Sequence, residues 1–279
     1  MSSVENMEAV DTARDYYNSD DADTFYSSVW GGEDIHIGLY QSEGDSVFEA
    51  SRKTVQRMAS KLSSLNKNTR VLDLGAGYCG AGRYLAGTYG ARIVALNLSE
   101  VENERARKLN TEQNLDELID VADGNYEEIP YEDNSFDVVW SQDAFLHSSN
   151  RSEVIKEAAR VLKPDGEFVF TDPMKSDDCD DEVLQPILDR IHLESMASPE
   201  YYKKLAKENG FKDIEYEELT EHLIRHYAHI LKETEANEEQ LLNDVSQEYL
   251  DNMKKGLNHW VNGGQKGYLS WGIFHFRQA

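Results

Sequence analysis

Positive charge is what this chain has least of. Against 53 aspartates and glutamates stand 28 lysines and arginines, for a net charge of −25 over 279 residues. Nucleic acids and anionic membrane surfaces bind through basic patches, so the balance excludes both as partners. Long apolar runs are missing as well, and none reaches the roughly 20 residues that a bilayer-spanning helix needs. There are two cysteines, Cys79 and Cys179. They are far apart and have no metal-ligand spacing, so no metal is expected and a reducing compartment is the natural setting. The first residues are polar and acidic, unlike a secretory signal, and the expected location is the cytoplasm. The acids are spread along the whole chain rather than gathered in a tail. Solubility accounts for that plainly. A sharper reading is a protein kept hydrated and dispersed in strong salt, where counterions screen its self-repulsion.

Glycine is concentrated in one place. Val71-Leu72-Asp73-Leu74-Gly75-Ala76-Gly77-Tyr78-Cys79-Gly80-Ala81-Gly82 opens as a short apolar strand and continues into a helical pattern from Arg83. Glycines at 75, 77, 80 and 82 let the backbone turn tightly and come close to a ligand, because no Cβ stands in the way. Strand, turn and helix together present backbone N–H groups to that ligand. Gly75, Gly77 and Gly80 also satisfy a dinucleotide pattern, but the Asp73 carboxylate would repel a pyrophosphate. It suits a ligand that is positive at that point, such as S-adenosylmethionine (SAM), with its ammonium and sulfonium.

Around the turn the chain alternates. Apolar strands are expected at Ala91 to Leu96, Ile119 to Ala122, Phe136 to Ser141, Glu167 to Thr171 and Asp213 to Leu219, with a last one at Tyr268 to Arg277. Helices fall between them, among them Ser152 to Leu162 and Ser198 to Asn209. The pattern predicts an α/β fold, a doubly wound, mostly parallel sheet of the Rossmann-like kind. Asn97, Gly124-Asn125-Tyr126 and Gln142 to His147 all follow strands, at the edge where open α/β sheets bind ligands. Ahead of the sheet, residues 1–64 read as a helical lid, with helices at Asp11 to Tyr17 and Val47 to Leu65 and an irregular stretch from Glu33 to Tyr40. The remainder, 65–279, reads as the main domain with an acidic helical insertion at about 220–262, broken near Glu233 to Glu239.

Five pieces in order, Val71 to Gly77, Asn97 to Ser99, Gly124 to Pro130, Asn134 to Ser141 and Val161 to Gly166, resemble the class I SAM-dependent methyltransferase signature. Trp30-Gly31-Gly32-Glu33-Asp34-Ile35-His36-Ile37-Gly38-Leu39-Tyr40, Trp140 to His147 and Thr171 to Lys175 are similar to the sarcosine/dimethylglycine N-methyltransferases of glycine betaine synthesis. The resemblance implies SAM as cofactor, with S-adenosylhomocysteine as product, and a small amino acid as substrate. It places Asp73, Gly75, Ala76 and Gly77 at the methionine part of SAM, Asn97 and Leu98 at the ribose, and Gly124, Asn125 and Tyr126 at the adenine. His36, Ile37, Gly38 and Gln142 would close over the sulfonium. Most methyltransferases carry a carboxylate where Asn97 stands, so Asn97→Asp is expected to bind SAM at least as well.

Methyl transfer to an amine needs alignment and loss of the amine proton. His147, His36 and Tyr26 are the catalytic candidates. Tyr17 and Trp30, with Tyr16, Tyr26 and Tyr40, offer an aromatic wall for the cationic product. Lys175, or Arg225 with His226 and Tyr227, would take the substrate carboxylate. Two other readings stay open: methylation of another small amine or of a lipid or sterol, and a non-catalytic ligand-binding protein on the same fold.

Overall fold

The computed structural model describes residues 20–30, 32–190 and 193–279. Helix Asp11 to Tyr17, and with it Tyr16 and Tyr17, lies outside the described residues. Strand β1 (Arg70–Leu74) is an interior strand of a seven-stranded sheet, third from one edge. Its apolar residues Val71, Leu72 and Leu74 are fully buried, as a strand covered on both faces requires. The order is β3 (Ile119–Asp123), β2 (Arg92–Asn97), β1, β4 (Phe136–Gln142), β5 (Leu162–Thr171), β9 (Gly272–Gln278) and β7 (Phe211–Glu218). The first five are parallel, and β9 runs antiparallel to both β5 and β7. The strand order reverses between β1 and β4, which opens a crevice at their carboxyl ends.

The helices follow the sequence pattern with instructive differences. After α1 (Asp20–Val29), α2 (Val47–Ala59) starts on a capping box, Ser46 accepting from Glu49 N–H and Glu49 accepting from Ser46 N–H. It ends at Ala59 rather than Leu65. Helices α3 (Gly80–Tyr89), α4 (Glu100–Glu112) and α5 (Arg151–Val161) cross between the parallel strands. Strand β5 begins at Leu162, through residues expected as a turn, because Leu162 pairs with Phe136 ahead of a register shift. The acidic segment after Lys175 carries an unexpected helix, α6 (Asp181–Arg190), followed by α7 (Pro199–Glu208).

The region between β7 and β9 is α8 (Thr220–Ala236), the single turn α9 (Glu238–Leu241) and α10 (Gln247–Gln265). The strand expected at Tyr268 to Arg277 breaks at Trp271. Ahead of the break, β8 (Leu269–Ser270) pairs with β6 (Met174–Lys175), and after it β9 joins the main sheet. One apolar cluster joins Phe25 and Trp30 of the lid to Leu223, Tyr227 and Trp260 of the inserted helices and to Trp271. Lid and insertion therefore share a core of their own, beside the two that cover the faces of the sheet. Among the described residues no helix is long and apolar enough to cross a membrane.

Candidate active site

The crevice predicted by the strand order is a cleft of about 640 Å³, mouth included, whose lining includes Gly75, Gly77, Asn97, Tyr126, Gln142 and His147. Gly75 and Gly77 adopt φ of +70° and +51°, in the left-handed region that glycine enters without strain. One expectation needs correcting. The N–H groups of Gly75 and Ala76 do not face the cleft, because both donate to Leu96 O, at 2.8 and 3.4 Å. The glycines serve by bare Cα surface and by letting β1 turn across β2. Ala76 is buried in the core against the sheet.

Asp73 is buried, and its carboxyl is pushed up to about 7 by burial and then by the nearby Asp34 carboxylate. Both influences oppose ionisation, so an ammonium placed there would pull the group back to its charged form. The linkage has a definite sign. With a folded-state pKa above the unfolded one, the stability this group confers on the ligand-free protein is full below about pH 4 and is lost as pH rises through 7. A cationic ligand binds the ionised form, so below pH 7 its affinity falls by roughly tenfold per pH unit. Calorimetry with SAM at pH 7 and pH 6 measures this. Asp73→Asn should weaken binding and flatten the dependence, and an unchanged slope would detach Asp73 from the ammonium.

Asn97 Nδ2 donates to Glu102 Oε2 at 2.9 Å, and both side chains are buried at the cleft. The carboxylate expected at the end of β2 is thus supplied from the first turn of α4, where Ser99 caps the helix by accepting from Glu102 N–H. The expectation for Asn97→Asp reverses, since a second carboxylate against Glu102 would repel it. That variant should bind SAM more weakly than the wild type by calorimetry; equal or tighter binding would restore the sequence-based reading. Glu102 had a signal in the sequence only as a first-turn acid behind a serine cap.

Other predicted residues divide. Leu98 and His36 line the cleft, with Ile35 beside them. Burial, with Arg52, lowers the His36 imidazole to about 3, so it is neutral. Ile37 and Gly38 do not line it. Ile37 N–H donates to Asp143 Oδ2 at 2.8 Å, and Gly38 is pressed on Ala50, where a Cβ would come within 2.5 Å of the Ala50 Cβ. Gly124 sits against Leu96, and Asn125 turns its side-chain oxygen to Glu127 N–H, so neither reaches the cleft wall. Gln142 is oriented by its own strand. Its Oε1 accepts from Trp140 Nε1 at 3.1 Å, which leaves the buried Nε2 without a partner among the described residues, at the cleft.

His147 stands on a 3₁₀ turn, Phe145–His147, just past β4. The turn is fixed from two sides. Asp172 accepts from Leu146 N–H at 2.8 Å, and the buried Arg151 donates to Phe145 O and Leu146 O. Tyr26 is not at the cleft: its ring lies 4.9 Å from Trp30, in the cluster shared by lid and insertion. Tyr227 stacks on Trp260 at 4.9 Å, a packing role. Lys175 Nζ reaches Cys179 O at 3.4 Å, and Arg225 donates to Ser42 O with its guanidinium 5.0 Å over Tyr40. Neither cation lines the cleft.

The segment expected as a lid is fastened to this edge by charges that sequence could not place. Arg52 pairs with the buried Asp34 at 2.8 Å and Arg83 with Glu33 at 2.9 Å. Gly80, at the start of α3, lets the lid pass so closely that a Cβ there would meet Asp34 Oδ1 at 2.3 Å. Among the described residues no group of side chains could hold a metal. The groups present suit SAM: a buried carboxylate without a cation among the influences on it, a hydrogen-bonded Asn97–Glu102 pair, and glycine surface.

Comparison with known proteins gives the family. Residues 72–170 match the methyltransferase domain family. Over 98% of both chains the protein is 55% identical to the sarcosine/dimethylglycine N-methyltransferase of Halorhodospira halochloris. It is 50% identical to the enzyme of that name from Aphanothece halophytica, over 95% of this chain and 96% of the relative. A crystal structure assigned to a sarcosine dimethylglycine methyltransferase of Galdieria sulphuraria superposes with a TM-score of 0.90 at 45% identity, covering 95% of this chain and 99% of that one.

Proposed function

The chain belongs to the sarcosine/dimethylglycine N-methyltransferases, and on that premise we propose that it methylates sarcosine and dimethylglycine to glycine betaine, using SAM. The observation that carries the reading is the cleft itself, with Asp73, the two left-handed glycines and the Asn97–Glu102 pair at one sheet edge. When bound, SAM supplies an electrophilic methyl group on a sulfonium.

The chain's own residues do the rest. Asp73 holds the ammonium, and Asn97 with Glu102 hold the ribose hydroxyls. Residues 1–64 act as the lid that excludes water. His147 receives the amine proton, held in place by Asp172 and Arg151 through its turn. His36 is unsuited to that task, because an imidazole lowered to about 3 cannot take a proton from an amine near neutral pH. Trp30, expected as an aromatic wall for the cationic product, is buried in the core shared by lid and insertion and does not line the cleft. The scatter of acids along the chain fits the salt-adapted reading, and the relative from Halorhodospira halochloris accompanies it.

Product analysis after incubation with SAM and glycine, sarcosine or dimethylglycine separately tests the assignment. Sarcosine should give dimethylglycine, and dimethylglycine should give betaine. SAM binding without turnover on any of the three would leave only a ligand-binding protein.

A further inference from the structure

The glycine-type substrate carries a carboxylate, and the cations expected to receive it are committed elsewhere. Arg225 is held on Ser42 O and Tyr40, and Arg151 on the carbonyls of Phe145, Leu146 and Ser195. Arg52 is paired with Asp34, and Arg83 with Glu33 and Asn110. Among the described residues the buried donors left without a partner include Gln142 Nε2 at the cleft, Arg83 Nη2 and, on the inserted helices, the ring of His226. His226, on α8, is fully buried, and its Nε2 has no hydrogen-bond partner among the described residues.

The lid decides which of its nitrogens carries the proton. Gly38 N–H, which can only donate, points at Nδ1 at 3.1 Å, and the Tyr40 hydroxyl lies at 3.1 Å from the same atom. Nδ1 must therefore accept, and the ring proton sits on Nε2. Burial, together with His229 and His36, holds the imidazole down at about 3, so the ring stays neutral. It does not line the cleft but adjoins a residue that does. The ring lies edge-on to Trp30 at 5.5 Å, beside Tyr40 and Tyr227, and close enough to His36 of the cleft wall for the two to interact electrostatically.

Resting on the reading of this chain as a dimethylglycine methyltransferase, we propose that the His226 Nε2–H receives the substrate carboxylate, and that the closed lid makes it a donor by occupying Nδ1. A neutral donor has an advantage here. In a glycine-type amino acid one carbon separates the carboxylate from the reacting nitrogen. A guanidinium on that carboxylate would sit close to the ammonium as it forms and oppose it. A neutral N–H makes a charge-assisted hydrogen bond to the carboxylate without that repulsion.

Two substitutions separate the nitrogens. In His226→Asn the amide oxygen takes the place of Nδ1 and still accepts from Gly38, but nothing stands where Nε2 was. In His226→Gln the amide nitrogen reaches the Nε2 position. His226→Asn should raise KM for dimethylglycine at least tenfold, with a smaller change in kcat and unchanged SAM affinity, and His226→Gln should recover part of the loss. With N,N-dimethylaminoethanol, where a hydroxymethyl group replaces the carboxylate, His226→Asn should change KM little. Binding of dimethylglycine to the protein loaded with S-adenosylhomocysteine, followed by calorimetry, should weaken by the same factor without any turnover. An unchanged KM in His226→Asn, or an equal loss for both amines, overturns the proposal while leaving the enzyme assignment intact. If the wild type makes no betaine from dimethylglycine, both fall.

Discussion

Gly75→Val is expected to weaken SAM binding at least a hundredfold in calorimetry. Two constraints meet at this position. Its φ of +70° is a conformation that a β-branched residue adopts only under strain. Its Cβ would also come within 2.5 Å of the Ala144 Cβ, so the side chain has nowhere to go. Relief in one direction rotates the peptide and breaks the bond from Gly75 N–H to Leu96 O, which holds the turn against β2. Relief in the other direction pushes away the end of β4 and the segment after it, with Gln142, Asp143 and His147 on them. Either movement reshapes the cleft, while the core of β1, centred on Leu72, is untouched. The melting temperature should therefore fall far less than the affinity. A dissociation constant within a factor of three of the wild type would place the cofactor elsewhere.

The strands were legible because a doubly wound sheet writes its pattern into short apolar runs, and the glycine turn named the edge where the cleft opens. What sequence did not reveal is who supplies each contact once the chain is folded. Asn97 stands where the resemblance placed the ribose, but its carboxylate partner comes from Glu102, five positions on, through a helix turn that only the fold closes. Gly38 lies within the family's lid motif and yet faces Ala50 and His226, across 188 positions of sequence from the latter. Arg225 was attractive as a scarce cation, and the same scarcity explains its actual role. In an acidic chain the few cations are taken up by carboxylates, structural carbonyls and ring faces, as the Arg52–Asp34 pair, Arg151 and Arg225 show. Burial also could not be read from residue type, and it is burial that neutralises His36 and His226.

Asp143 is where these separate parts are joined, and its replacement should be nearly as damaging as the glycine change. It sits at φ +52° just beyond β4, inside the Trp140 to His147 stretch, where no role had been assigned to it. One oxygen accepts from Ile37 N–H of the lid at 2.8 Å, the other from Trp271 Nε1 at 2.8 Å. Trp271 in turn receives Leu219 N–H on its carbonyl and gives its own N–H to Thr220, at the junction of β7 and α8. A single carboxylate thus ties lid, sheet edge, last strand and insertion together beside the cleft.

Both of its partners can only donate, so both need an acceptor. In Asp143→Ala two buried donors lose theirs, at about 1–3 kcal/mol each. In Asp143→Asn the amide oxygen can serve one donor while the amide N–H₂ is turned against the other. The isosteric change should therefore retain little more function than the truncation. For both variants kcat/KM for dimethylglycine is expected to fall about a hundredfold, and amide hydrogen exchange should accelerate in residues 35–40 while β1 and β4 stay protected. If Asp143→Asn kept full activity and left exchange of the lid unchanged, the lid would have to be held by the Arg52–Asp34 and Arg83–Glu33 pairs without it.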